Sequence, residues 1–199
     1  MPRHGQYLEL KRCPHCNVDR PTLSRAGNIF QTATHDKRNE RSWGNYACAS
    51  CGGVILAWSH KNSAEIQKMY PPPMEVDETV PTRAKEYLEQ AISSINAPAG
   101  AVMLAASAVD AMLKDKNLTS GSLYSRIKKA VETHLITPEM EKWAHEVRLE
   151  ANDQRHSDNG STLPSPEDAE RVIDFVQALA TFLYVLPARV SRGIESATN

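Results

Sequence analysis

The chain has 199 residues, 41% of them apolar and 24% charged, with a formal net charge of −1, the composition of a water-soluble globular protein with room for one ordinary domain and a small accessory one. Its longest apolar stretch of note, Ala101 to Val109, carries Ser107 and ends at Asp110, far short of the roughly 20 residues a bilayer span needs. The near-neutral total hides an asymmetry: residues 1–70 hold ten Lys and Arg against five Asp and Glu, and residues 71–199 hold thirteen against nineteen.

Residues 1–60 read as short strands and turns around a metal. Gln6–Lys11 leads into Cys13-Pro-His-Cys16, Tyr46–Cys48 leads into Cys48-Ala-Ser-Cys51-Gly-Gly, and Val54–Trp58 leaves the second turn. This is the layout of a β zinc ribbon. Two tight turns each offer two thiolates, so Cys13, Cys16, Cys48 and Cys51 make a full tetrahedral set for Zn²⁺ with no open position, which is structural rather than catalytic metal chemistry. A module this small has little apolar core, so metal binding supplies most of its folding free energy.

Two other uses of the cysteines are weaker. Disulfides need an oxidising compartment, and the opening residues Met1 to Gln6 carry no apolar signal core, so the chain is expected in the cytoplasm. A thioredoxin-like redox pair needs only one such motif, whereas two are present. His15, between two ligands, reads as a surface residue or one that supports the ligands from outside.

The stretch from Pro21 to Gly44 is polar and long enough for a hairpin, and its one dense charge run, Lys37-Arg38-Asn39-Glu40-Arg41, reads as a solvated loop. Trp43, Tyr46 and Trp58 have the chemistry to stack on bases, although aromatics beside such a turn more often fill its miniature core. The basic excess of this half fits contact with nucleic acid, and equally attraction to the acidic remainder of the chain.

Residues 61–80, with Tyr70-Pro71-Pro72-Pro73 and then Glu75, Asp77 and Glu78, are expected to form an extended linker. From 81 to 190 the periodicity is helical throughout, which predicts an all-α bundle of about five helices, and 191–199 is left as a tail. Thr82–Ile95 shows one apolar face. Asn96-Ala97-Pro98 breaks the chain before an Ala-rich helix to about Lys116, expected to be central and buried. Ser122–His134 forms a third helix. Thr137-Pro138-Glu139 opens a fourth through about Gln154, and Ser165-Pro166-Glu167-Asp168 a fifth to about Leu186. In the fifth, Ala169, Val172, Val176, Leu179, Leu183 and Leu186 predict one continuous seam, for core packing or for a second subunit.

On the fourth helix Arg148, Asn152 and His156 recur every four residues and share one polar face if the helix persists. An arginine and an imidazole there suit phosphate binding, or general acid–base attack by a ribose 2′-hydroxyl. The plainer alternative is that Arg148 and Asn152 tie the helix to its neighbours and His156 caps its end.

Around these residues the chain resembles the family called domain of unknown function 4145. The resemblance rests on Tyr87-Leu88-Glu89-Gln90-Ala91, the run from Ala108 to Leu113, the segment from Arg148 to His156, and the helix from Pro166, and it covers most of residues 81–190. It implies a fold similar to the HEPN superfamily, whose members are often homodimers and frequently belong to restriction and other phage–host defence systems. Active HEPN ribonucleases carry a polar residue directly after the motif arginine and a histidine four to six residues further on. Here Leu149 follows Arg148, seven residues separate Arg148 from His156, and Ala151 stands at the usual glycine.

The sequence thus favours a non-catalytic module that binds a nucleic acid or a protein of a defence complex. The alternatives are a metal-independent endoribonuclease using Arg148 and His156, and a regulator that senses a nucleotide at the Arg148/Asn152/His156 face.

Overall fold

The computed structural model describes residues 2–156 and 162–198. The chain divides into two compact units, Met1–Met74 and Glu75–Asn199.

The first unit is one antiparallel sheet of six strands: β1 (Tyr7–Leu8), β2 (Leu23–Arg25), β3 (Phe30–Ala33), β4 (Glu40–Cys48), β5 (Val54–His60) and β6 (Ile66–Tyr70). The order is β1-β2-β4-β5-β6, and β3 pairs with the other end of the β4 edge that β2 occupies. Burial along β4 and β5 alternates, as the two-residue repeat of a strand requires. Ser42, Gly44, Tyr46 and Cys48 face inward together with Ile55, Ala57 and Ser59. The resulting core is small: Leu8, Leu23, Tyr46, Ile55, Ala57, Ile66 and Met69, closed at one end by Cys13 and Cys48.

Three features depart from the sequence reading. The Pro21–Gly44 stretch does form a hairpin, β3–β4, yet β4 already begins at Glu40, so Arg41 is a strand residue rather than part of a solvated loop. Strand β6 runs through the segment expected to be a linker, because Ile66 and Met69 can be buried against β5. Tyr46 fills the miniature core, whereas Trp43 and Trp58 lie on the opposite face.

The second unit is a helical bundle: α1 (Thr82–Ser93), α2 (Pro98–Asp115), α3 (Leu123–Glu132), α4 (Pro138–His156), α5 (Pro166–Ala180), a π-helical turn (Thr181–Val185) and α6 (Leu186–Thr198). Local signals set most of the helix starts. Ser122 accepts a hydrogen bond from the Ser125 N–H, Thr137 Oγ1 accepts from the Met140 N–H at 3.3 Å, and Ser165 with Asp168 completes a reciprocal capping box. Helix α2 is the centre. Its Ala101, Ala105 and Ala108 are fully buried, and their short side chains let neighbouring helices approach closely.

Helix α5 does not stop at Pro187. A proline ring collides with the carbonyl four residues back and has no N–H to give it, and the chain answers by widening one turn, so that the Leu186 N–H bonds to Thr181 C=O, five residues back. Helix α6 then continues through the predicted tail. The widened turn also rotates the predicted seam: Ala169 to Leu183 are buried, but Leu186 is 45% exposed. By length and composition the run Pro166–Ala197 is apolar enough to cross a membrane, a property the sequence reading missed, and half of its most apolar window is buried inside the bundle.

Candidate functional site

The two cysteine turns are built alike. In the first, Asn17 N–H closes on Cys13 C=O at 2.9 Å with Asn17 at φ 56°; in the second, Gly52 N–H closes on Cys48 C=O at 2.8 Å with Gly52 at φ 73°. Each chain reversal needs a left-handed residue after the second cysteine, and glycine and asparagine adopt that conformation at least cost. Backbone N–H groups point at the sulfurs in matching positions. Cys13 accepts from His15 and Cys16, Cys48 from Ser50 and Cys51, Cys16 from Val18 and Cys51 from Gly53.

All four Sγ atoms lie within 4.8 Å of one another, and Cys13 and Cys51 come to 4.0 Å across the two turns. The structure therefore brings the four predicted ligands to one point, where they can hold a metal ion. Burial pushes the Cys16 thiol up to about 12. Cys48 is buried too, but the N–H groups of Cys51 and Ser50, with the Cys13 and Cys51 thiols, outweigh that and bring it down to about 7. N–H donors aimed at sulfur favour thiolates, which are the form that binds a cation. The donor set suits a soft, tetrahedral ion and leaves no position for a substrate.

The outer face of the same sheet is the second candidate. Cross-strand partners line up in rows: Phe30 opposite Trp43 and Trp43 opposite Trp58, with Lys68 next on β6; Thr32 opposite Arg41 opposite His60; Asn45 opposite Leu56 opposite Tyr70. Phe30 and Trp43 stack with ring centres 6.4 Å apart, Trp43 and Trp58 meet at 6.1 Å with their planes tilted by 43°, and the Arg41 guanidinium lies 4.3 Å over the Trp58 ring. Trp43 Nε1 donates to Thr32 Oγ1 at 2.8 Å, which fixes the indole. Lys68 sits 5.3 Å from the Tyr70 ring centre. None of these ladder positions carries Asp or Glu. Sequence reasoning found the two tryptophans but not Phe30, Arg41, Lys68 or Tyr70; the period-two run Arg41, Trp43, Asn45 was the available signal.

In the helical unit Arg148 and Asn152 line one groove of about 850 Å³, together with Asp110, Lys114, Tyr124 and Arg126. The third candidate of this face, His156, ends α4, and its side chain lies outside the described residues. Asp110 holds both Arg126, at 2.5 Å, and Lys114, at 2.6 Å. Arg148 is placed 5.4 Å over the Tyr124 ring, and its Nε is buried without a hydrogen bond among the described residues. His145 stacks on the same ring at 4.7 Å, and burial, then the charge of Arg148, holds its pKa below the usual imidazole value. Asp110, Arg126 and Tyr124 were not singled out from sequence, since they reach the groove from α2 and α3 by contacts that no local spacing announces.

Comparison with known proteins bears on this helical unit. No curated protein and no solved structure matches the chain. A family model described as domain of unknown function (DUF4145) matches residues 89–197, from within α1 almost to the end of α6. That match takes in more than half of the chain, including the groove residues Asp110, Arg126, Arg148 and Asn152, and the protein accordingly belongs to the DUF4145 family.

Proposed function

We propose that the protein is a nucleic-acid-binding module without catalytic chemistry of its own, in which a structural Zn²⁺ at Cys13, Cys16, Cys48 and Cys51 stiffens a sheet whose outer face does the binding. The observation that carries this is the charge and ring content of that face: Arg41, Lys68 and His60 among five outward aromatics, Tyr7, Phe30, Trp43, Trp58 and Tyr70, with no carboxylate at the outward ladder positions. Tyr7 is 59% exposed, far more than a core aromatic would be. Arg41 and Lys68, which have no ion-pair partner among the described residues and lie beside aromatic rings, suit a polyanion whose bases also offer π surfaces. The basic balance of residues 1–70 points the same way.

The test is retention of a mixed DNA and RNA pool by the full chain over a salt series. Binding that weakens with salt, and that weakens further in Arg41→Gln/Lys68→Gln, supports the reading. Indifference to every nucleic acid at low salt overturns it and makes a protein the ligand.

A second reading keeps catalysis in the helical unit, supported by the groove that Arg148 and Asn152 share with Arg126. Its test is RNA cleavage in chelator by the wild type and by His156→Ala. Cleavage lost in the variant supports it, and no cleavage by either protein removes it.

A further inference from the structure

We propose that the outer sheet face takes an unpaired strand, with bases stacked on the Phe30–Trp43–Trp58 row and phosphates tracked by Arg41 and Lys68, and that it discriminates against duplex. This rests on the reading that the sheet unit binds nucleic acid, and names the form of nucleic acid it takes.

The argument starts from what each form of nucleic acid exposes. A duplex hides the faces of its bases and offers phosphates and groove edges, so it could satisfy Arg41 and Lys68 but would leave the rings against water. An unpaired strand exposes both its base faces and its phosphates. Rings are presented to solvent on this sheet: Phe30 is 47% exposed and Tyr70 43%. The rings are also held in place before any ligand arrives, Trp43 by Thr32 and Trp58 by Arg41. Groups already ordered lose little entropy on binding.

The rows fix the direction of the strand. Arg41 and His60 stand two residues along β4 and β5 from Trp43 and Trp58, which is roughly 7 Å at the rise of an antiparallel strand. A chain running across the strands from β3 to β6 therefore lays bases over the aromatic row and phosphates beside the Arg41/His60 row, and meets Lys68 at its far end. A four-strand width accommodates about two or three bases. Duplex readers instead insert a helix or ribbon into a groove and read base edges there, and rings set in a row across three strands are not placed for that.

The experiment uses the full-length, zinc-loaded protein and fluorescence anisotropy with a labelled single-stranded oligothymidylate and a labelled duplex of mixed sequence. The expected result is single-strand binding at least about tenfold tighter than duplex binding, weakened by about tenfold in Phe30→Ala, since loss of one stacking partner is worth a factor of that order. Lys68→Gln should lower the slope of log Kd against log salt by about 0.7 and change little else. Phe30 is close to half exposed, so its truncation leaves the fold intact, which the metal content and melting curve of the variant check; Tyr70→Ala is the second variant. Duplex bound as tightly as single strand, or Phe30→Ala and Tyr70→Ala binding like wild type while Arg41→Gln abolishes binding, overturns stacking and leaves a charge-only nucleic-acid binder. Loss of binding to both probes at all salt concentrations overturns the stacking and the nucleic-acid reading together.

Discussion

The ring of His15 joins the two cysteine turns: its Nε2 lies 2.9 Å from the Val54 carbonyl oxygen, and the ring rests against Gly53 so closely that a Cβ there would sit 2.5 Å from it. A residue within one pair of ligands thus fixes the distance to the other pair. Gly53→Ala should expel the ring and lose its hydrogen bond, at about 0.5–1.5 kcal/mol, read as weaker metal retention against a chelator. In a His15→Ala background the same substitution should cost less, because the ring clash and the bond are gone and only the approach of the residue-15 Cβ, at 2.9 Å, remains. An undiminished penalty in that background would show that the glycine matters for some other reason.

Removing the metal should unfold one unit and spare the other. The sheet core consists of few residues closed by two of the ligands, whereas the bundle has its own extended apolar core around α2. Metal binding to sites of this kind is worth about 10–16 kcal/mol, more than a core this size can replace. Strong chelator, or Cys48→Ser, should abolish hydrogen-exchange protection in β4 and β5 while α2 and α5 keep theirs. The same sample should contain one equivalent of zinc before treatment, and loss of helical protection at the same chelator concentration would contradict independent units.

What could be read from the sequence follows from how local each signal was. The cysteine turns and the helix starts at Ser122, Thr137 and Ser165 lie within four residues of chain, and they occur where the spacing put them. The outer face of the sheet was harder. Trp43 and Trp58 become neighbours only through β4–β5 register, and β3 is fully exposed, so no apolar alternation marked it. Pro187 misled for a different reason. A proline normally ends a helix, and only the widened turn before it, anchored by distant contacts of Tyr184, lets α6 continue. The groove pair Asp110 and Arg126 depends on how α2 meets α3, which periodicity on either helix leaves undetermined.

Asp110 is the electrostatic hub of that groove, and its loss should be costly. It faces Arg126, whose side chain is only 11% exposed, and Lys114, which is 48% exposed. Asp110→Ala strands a nearly buried guanidinium whose Nε already lacks a partner. Denaturant unfolding followed by helical signal should show a loss of about 3 kcal/mol, because breaking one half of a buried pair leaves the other charge uncompensated. The double variant Asp110→Ala/Arg126→Leu should recover a large part of that loss. A double variant as unstable as the sum of the single ones would mean that the two residues do not act as a pair.

The π-helical turn should make the bundle sensitive to alkali through one phenol. Tyr184 is 8% exposed, and its hydroxyl lies 3.1 Å from the Met112 carbonyl and 3.0 Å from Asp115 Oδ2, with Lys116 4.2 Å from the ring centre. Burial, then the hydrogen bond and negative charge of Asp115, raise its pKa above the ordinary phenol value. The neutral phenol is therefore the form the fold favours. Unfolded chains ionise this group near pH 10, so its stabilising contribution is complete below that pH and declines as pH rises toward the folded pKa, by up to about 1.4 kcal/mol per pH unit. Tyr184→Phe should cost about 1 kcal/mol at neutral pH, from the lost hydrogen bond, and should flatten the decline in bundle stability between about pH 10 and 12. Tyr46, also raised by burial, belongs to the other unit, and Lys85 of α1, raised by its bond to Glu78, is common to both proteins, so the difference between wild type and Tyr184→Phe isolates the effect of Tyr184. A Tyr184→Phe bundle that loses stability with pH as steeply as the wild type would place the alkaline sensitivity elsewhere and leave the turn without this role.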